Sequence, residues 1–241
     1  CRRDLRRILH LIKIGVSLNT ILSCNHVCLQ ILKRVVRGSL ETKNFFKINE
    51  KERELLRDAH GLTKNFVIGF VFRNQLRKSV PNLLEGFKKF KAAHPDSSPK
   101  LLLHTHWGEG WDIPTLIKEK QLNNDDIMTT YICGKCHQYF VRSYNGQAQD
   151  CLGCNTDASL HTTNIKVGVS EQQLNEVYNL MDVYCHPFTS GGQEIPIQEA
   201  KLTELITLVT NYSCGEDSCA PNSGGFPLEW AEYREPGTQF I

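Results

Sequence analysis

No stretch of this sequence is apolar for long enough to cross a bilayer, and a secretory leader is not expected from its opening residues. The richest apolar stretch, Ile8 to Leu22, is interrupted by Lys13, Ser17 and Asn19, which makes it too short and too polar to span. An excess of one charge is missing as well. The 28 Lys and Arg residues nearly cancel the 26 Asp and Glu, leaving +2, too little to argue for nucleic acid or an anionic membrane as partner. A composition of 40% hydrophobic and 22% charged residues gives no sign of disorder. A disulfide ladder is also missing. Four of the ten cysteines form two Cys-x-x-Cys pairs, and Cys1, Cys24, Cys28, Cys185, Cys214 and Cys219 follow no pattern. Reduced thiols, and hence a cytoplasmic location, are expected. The chain begins Cys1-Arg2-Arg3-Asp4 without an initiator Met and stops at Gly237-Thr-Gln-Phe-Ile241, so a fragment of a longer protein is expected.

What is present is an alternation of apolar runs and amphipathic stretches. Residues 1–36 place Leu5, Ile8, Leu9 and Ile12 at helical spacing and predict a helix packed on a neighbouring domain, in preference to a basic membrane-surface helix. Residues 50–60 read as a helix capped by Asn49 and ended by Gly61. Phe66 to Phe72 is a continuous apolar run, the pattern of a strand buried on both faces. The polar turn Arg73–Lys78 follows, and then a helix from Pro81 to Ala93 with Leu83, Leu84, Phe87 and Phe90 on one face. Strands are predicted at 100–104, 127–132, 165–168, 183–186 and 206–210, the last of these the final clear strand. Helices are predicted at 113–120, 170–180 and 197–203, and a Gly-rich loop at 187–194. Such a rhythm implies right-handed crossovers and a parallel sheet with helices on both faces. Ligands bind such sheets at the C-terminal ends of the strands, which marks the loops Arg73–Ser79 and Pro187–Glu194.

Cys133-Gly-Lys-Cys136 and Cys151-Leu-Gly-Cys154 are two knuckles separated by fourteen residues. Each tight turn places two sulfurs on one side, with glycine permitting the bend, and two turns give a closed tetrahedral thiolate site of the kind zinc prefers. A closed site leaves no position for water, so a structural zinc is expected, and a redox dithiol would need only one pair. His137 and His161 are spare candidate ligands. The stretch between the knuckles is poor in apolar residues and cannot bury a core of its own. Metal binding, worth about 10–16 kcal/mol in small zinc peptides, would supply the missing folding energy. The spacing resembles that of zinc ribbons.

The series from Gly38 onward resembles the C-terminal domain of family 4 retaining glycosyltransferases, which have the GT-B fold. Gly38 to Phe45 is similar to that family's inter-domain linker. Gly69-Phe-Val-Phe-Arg73 with Lys78 is similar to its Gly-x-x-x-Arg and following Lys, Ser170 to Leu174 and Tyr178 to Val183 to its next helix and strand, and His186-Pro187 through Glu199-Ala200 to its donor loop. The family has two glutamates with seven residues between them; the second is Glu199, and the first falls on Gly191. Glu204 and Ile206 stand where it has Gly and Pro.

The resemblance implies an α/β fold: a Rossmann-like parallel sheet, the C-terminal half of a GT-B fold, with a small zinc-ribbon insertion. It divides the chain into a residual N-terminal segment and linker at 1–37, a donor-binding domain at 38–241 and an inserted ribbon at 133–160. It implies a hexosyltransferase-type enzyme that moves a sugar from a nucleotide-diphosphate donor to an acceptor hydroxyl with retention. In that reaction Arg73 and Lys78 hold the diphosphate and Glu199 the ribose, while Ser190, Gly191, Gly192, Gln193 and Glu194 line the donor, Glu194 in place of the absent first glutamate. Zinc on Cys133, Cys136, Cys151 and Cys154 is the one metal implied. The acceptor is left unidentified and belongs with an N-terminal domain outside the chain, so weak donor binding and little turnover are expected of the chain alone. His104, His106, Trp107 and Trp111 follow a strand end and are either a stacking surface for a base or sugar, or ordinary loop packing. A non-catalytic nucleotide- or carbohydrate-binding module, or an interaction protein built on the ribbon, are the alternatives.

Overall fold

The computed structural model describes residues 40–164 and 166–230, all within one compact unit that begins at Leu40. The helix expected over 1–36, the start of the linker motif and the chain's last residues lie outside the described residues.

Six buried or half-buried strands run parallel: β1 (Val67–Val71), β2 (Lys100–His104), β3 (Ile127–Cys133), β7 (Val183–His186), β8 (Ile206–Thr210) and β9 (Gly225–Leu228). They stand in the order β3-β2-β1-β7-β8-β9. With the intervening strands set aside, this is the 3-2-1-4-5-6 order of a Rossmann sheet, whose direction of winding reverses between its first and fourth strands. Here the reversal lies between β1 and β7, where Ile68 pairs with Val183 and Gly69 with Tyr184.

Helices cover both faces because the strand residues point alternately to each. The helix α1 (Glu50–Ala59) starts at Asn49, whose side chain accepts from the Glu52 amide, relieving one orphan donor of the first turn. The helix α2 (Val80–Ala93) turns Val80, Leu83, Leu84 and Phe87 inward and packs beside α3 (Ile113–Glu119). On the other face lie α4 (Glu171–Asn179), opened by a Ser170–Gln173 capping box, and α5 (Ile195–Leu202). Gly69 is required on that face, since a Cβ there would overlap the Met181 thioether. An apolar groove of about 630 Å³ lies on the α2 side, between Phe87, Phe90, Ile68, Val183 and Leu208. The short helix α6 (Gly215–Cys219) joins β8 to β9.

The bottom of the sheet is fastened by a buried charge cluster. Arg57 is 6% exposed and donates to the carbonyls of Leu180 (2.6 Å), Leu62 (2.9 Å) and Asn65. Asp182 accepts from Arg57 (3.2 Å), from Arg53 (2.7 Å) and from the Val67 amide (2.8 Å). It thereby ties α1 to the starts of β1 and β7.

Three further strands, β4 (Tyr139–Ser143), β5 (Ala148–Cys151) and β6 (Thr156–Thr162), are antiparallel. They correct the expectation of a module that merely interrupts the sheet. β4 and β6 both pair with β3, β4 over Met128–Ile132 and β6 over Tyr131–Cys133, so β3 is at once the third parallel strand and the first strand of the ribbon. The strand expected at 165–168 is also corrected. Residues 166–168 are not in a strand, and the strand before α4 is β6. Beyond β8, the last strand clear in the sequence, β9 is the final one among the described residues. It lies at the sheet edge with Phe226 exposed and carries Pro227, a residue confined to edges because it lacks a ladder donor.

Asp182→Ala would leave the Arg57 guanidinium buried without its counter-charge. The expected loss is about 3 kcal/mol of unfolding free energy, measured by urea denaturation. A loss below about 1 kcal/mol, the worth of an exposed pair, would contradict the role given to this cluster.

Candidate functional site

The loops that follow β1 and β7 meet above the reversal point. The Thr189 amide donates to the Arg77 carbonyl at 2.8 Å, so the cationic turn and the Gly-rich loop are bonded to each other. Residues Leu76–Lys78 form a single 3₁₀ turn, and Ser79 after it adopts a left-handed conformation that starts α2.

The two cations singled out in the sequence lie in different environments. Arg73 is exposed, and its Nε donates to Glu109 Oε2 at 3.0 Å. Lys78 is buried, 3% exposed. Its ammonium donates to Glu194 Oε2 and lies 3.3 Å from His186 Nε2. Arg77, a cation not singled out in the sequence, donates to Glu194 Oε1 at 2.7 Å and to the Ser190 carbonyl at 2.8 Å.

Glu194 is thus the centre of the site. Burial alone would raise its carboxyl, but His186 and Lys78 outweigh that and hold it down at about 2. Burial pushes Lys78 below the usual lysine range, an effect that Glu194 partly offsets. His186 is wholly buried and lowered to about 4, chiefly by burial. Its Nδ1 lies 2.7 Å from Tyr184 Oη, which donates to the Val71 carbonyl (3.1 Å), and its Nε2 lies 3.3 Å from both Lys78 Nζ and Glu194 Oε2.

The remaining donor-loop residues surround this centre. The carbonyl of Gly191 accepts from Ser213 Oγ at 2.8 Å. Gly192 and Gln193 are exposed. Glu199 lies on α5 and is buried, 9% exposed; it accepts from Tyr178 Oη at 2.7 Å, and burial raises its carboxyl. The structure therefore brings Lys78, Ser190, Gly191 and Glu194 together, with Arg73 on the rim and Glu199 packed against Tyr178. Trp107 is packing: it is 4% exposed, donates to Thr129 Oγ1 at 2.9 Å and stacks on Tyr144 with ring centroids 3.8 Å apart. Trp111 donates to the Leu76 carbonyl at 3.0 Å, and buried His104 lies 3.1 Å from Thr130 Oγ1.

The four knuckle cysteines converge. Cys133 and Cys154 sulfurs are 3.7 Å apart, as are those of Cys136 and Cys151, and all four lie within 4.8 Å of one another. Tetrahedral zinc with bonds of about 2.3 Å would separate its sulfurs by about 3.8 Å, so the donor set fits the metal. His137 and His161 are not part of the cluster. The amides of Lys135 and Cys136 point at Cys133 Sγ from 3.4 Å. The Cys136 amide and the Ser159 hydroxyl lower that thiol to about 5. The glycines are not what permits the bend: the left-handed residues are His137 and Asn155, each directly after a second cysteine. The ribbon does bury a small cluster of its own, Tyr131, Cys133, Cys151 and Leu160, and Arg142 lies over the Tyr131 ring. Tyr139 donates to Glu176 Oε2 at 2.7 Å and Gln173 to the His137 carbonyl at 2.8 Å, which docks the ribbon on α4.

No family model matches the sequence, and no curated protein matches it. Solved structures do match its fold. The C-terminal domain of LpcC, a glycosyl transferase group 1 family protein of Francisella tularensis, is 12% identical with a TM-score of 0.53, over 79% of this chain and 80% of that one. HepE of Anabaena, solved in complex with UDP, is 15% identical with a TM-score of 0.56, over 87% of this chain and 48% of that one. Sucrose-phosphate synthase of Thermosynechococcus elongatus is 15% identical with a TM-score of 0.53, over 81% of this chain and 39% of that one. The chain has the Rossmann-like fold of a GT-B glycosyltransferase C-terminal domain. It spans less than half the length of the latter two proteins. Among the described residues, no helix is long and apolar enough to cross a membrane.

Two outcomes are expected of these groups. Metal analysis of protein purified without added metal should find about one zinc per chain, lost together with thermal stability in Cys133→Ser/Cys151→Ser. Because Glu194 falls from an ordinary 4.5 to about 2 on folding, its stabilisation is complete above the higher value and is lost as pH drops toward the lower. Acid unfolding curves of Glu194→Gln should lack that part of the pH dependence.

Proposed function

We propose that the chain is the donor-binding half of a retaining glycosyltransferase, one that transfers a hexose from a nucleotide-diphosphate sugar to an acceptor hydroxyl. The bond between the Thr189 amide and the Arg77 carbonyl carries this reading. It places a cationic loop and a Gly-rich loop side by side at the reversal point of a Rossmann sheet, where such sheets bind nucleotides. Two of the solved structures with this fold are described as complexes with UDP-glucose or UDP. The donor domain is taken as residues 38–241, following the linker at 1–37 and carrying the ribbon at 133–160.

In this reading the nucleoside diphosphate leaves with negative charge developing on its phosphate. Arg73, Lys78 and the amides of Gly191, Gly192 and Gln193 stabilise that charge without a bound metal ion. Glu199 holds the ribose hydroxyls and so fixes the donor's orientation, exchanging its bond to Tyr178 for them. The acceptor is bound by a domain outside this chain. Zinc holds the ribbon together and takes no part in transfer. Thiolates that hold a metal must stay reduced, which favours a cytoplasmic location.

One observation favours a second reading, a nucleotide- or carbohydrate-binding module without catalysis: Lys78 is already neutralised by Glu194, and no carboxylate stands at Gly191.

A thermal-shift screen of UDP-, GDP-, ADP- and TDP-sugars, on the chain joined to its acceptor domain, tests both. At least one nucleotide sugar is expected to raise the melting temperature, and Arg73→Ala to weaken its binding about ten-fold. Binding with no hydrolysis or transfer would establish the second reading, and no response to any nucleotide sugar would remove both.

A further inference from the structure

The loop after β7 is fastened down over Lys78, which the donor reading needs, and over its neighbour Arg77. Arg77 holds the Ser190 carbonyl, Ser213 holds the Gly191 carbonyl, and Glu194 reaches back into the protein to Lys78 and Arg77. Its two oxygens are divided between the two cations, with His186 Nε2 a further 3.3 Å from Oε2. One carboxylate thus receives charge-assisted hydrogen bonds from two cations, the arrangement a phosphate oxygen would seek.

The space for that carboxylate exists because residue 191 is glycine. A Cβ at Gly191 would stand 2.6 Å from Glu194 Oε1 and 3.2 Å from Cys214 Sγ. Gly191 has no positive φ, so its backbone would accept any L-residue. What forbids a side chain there is the Glu194 carboxylate itself. A residue larger than glycine at 191 and the present position of Glu194 exclude each other.

We propose that Glu194 is a built-in occupant of the phosphate subsite: it takes the donors of Lys78 and Arg77 that a diphosphate would use, and Gly191 makes the room. This rests on the donor reading for what the subsite accepts, but the self-occupied state is a property of these residues alone. A diphosphate must displace one negative group by another. Its affinity is then the difference between two anions for the same cations, and the closed loop keeps a low-affinity resting state. The departure from the glycosyltransferase motif at Gly191 and the burial of Lys78 become one fact instead of two.

The test is a calorimetric titration of the full chain with inorganic pyrophosphate at low ionic strength. Gly191→Ala keeps every charge and displaces the Glu194 oxygen that Arg77 holds. Glu194→Gln keeps the shape and removes the charge. Both are expected to bind pyrophosphate about ten-fold more tightly than the unaltered protein. Gly191→Ala leaves no buried charge unpaired by deletion, so it decides the matter even if Glu194→Gln fails to fold, as judged by circular dichroism. Binding by Gly191→Ala that is no tighter than that of the unaltered protein overturns the proposal, as does the absence of pyrophosphate binding in all three proteins. UDP-glucose titrated into the same proteins separates this from the donor reading. Variants that gain pyrophosphate but bind no nucleotide sugar uphold the occupant and remove the donor. A nucleotide sugar bound by the unaltered protein as tightly as by Gly191→Ala upholds the donor and removes the occupant.

Discussion

A lysine and a glutamate buried at the reversal point of the sheet cannot exist there without each other. Taking either charge out of water alone costs several kcal/mol, and pairing recovers that cost only when the remaining hydrogen bonds are also made. Here they are. Lys78 reaches His186 as well as Glu194, and Glu194 reaches Arg77 as well as Lys78. His186 passes its other bond to Tyr184, and Tyr184 to the backbone of β1. The network joins the turn after β1, the end of β7 and the start of α5, so the same residues that fix the loops also set the charge of the site they enclose. The strands could bring the loops together by themselves; the ion pair decides how they close.

The ribbon imposes a second constraint, through β3. That strand must satisfy β2 in parallel over Ile127–Thr129 and β6 antiparallel over Tyr131–Cys133, with β4 antiparallel over Met128–Ile132. All seven of its residues are buried, which an edge strand would not require. A sheet that ended at β3 would expose a row of unpaired backbone groups. β4 covers that edge over Met128–Ile132, while β6, backed by β5, takes up the other side of β3 beyond the end of β2.

Strands buried on both faces were plain in the sequence because their apolar runs leave no other assignment of that length. The strands at 183–186 and 206–210 start and stop where the residues predict. Strands that owe their existence to a neighbour were not visible. β5 is polar, β9 carries a proline, and β6 with its Thr, Asp and Ser residues reads as loop until β3 is there to pair with it. The metal cluster was legible because its chemistry is local, two sulfurs to a turn. The turn itself was misread, since glycine is the usual left-handed residue and here His137 and Asn155 take that role. The loops of the candidate site could be named by topology alone. The state of their charges could not: Lys78 and Glu194 are 116 residues apart, and nothing in either segment announces that the lysine is spent on the glutamate.

Arg73 shows how the two constraints meet. Its partner Glu109 lies in the loop after β2, a loop held from two sides. On one side, Asn74 donates to the carbonyls of Glu109 and Trp111 and accepts from the Trp111 amide. Gly110 permits this approach: its φ is +62°, and a Cβ would collide with the Asn74 carbonyl. On the other side, Trp107 lies flat on Tyr144, a ribbon residue, while donating to Thr129 of β3. The ribbon therefore forms one wall against which the Arg73 loop is set. Tyr144 also packs on the buried cluster around Cys133 and Cys151, so the small core of the ribbon and the loop that holds Glu109 share one aromatic contact, close-packed like the rest of the interior.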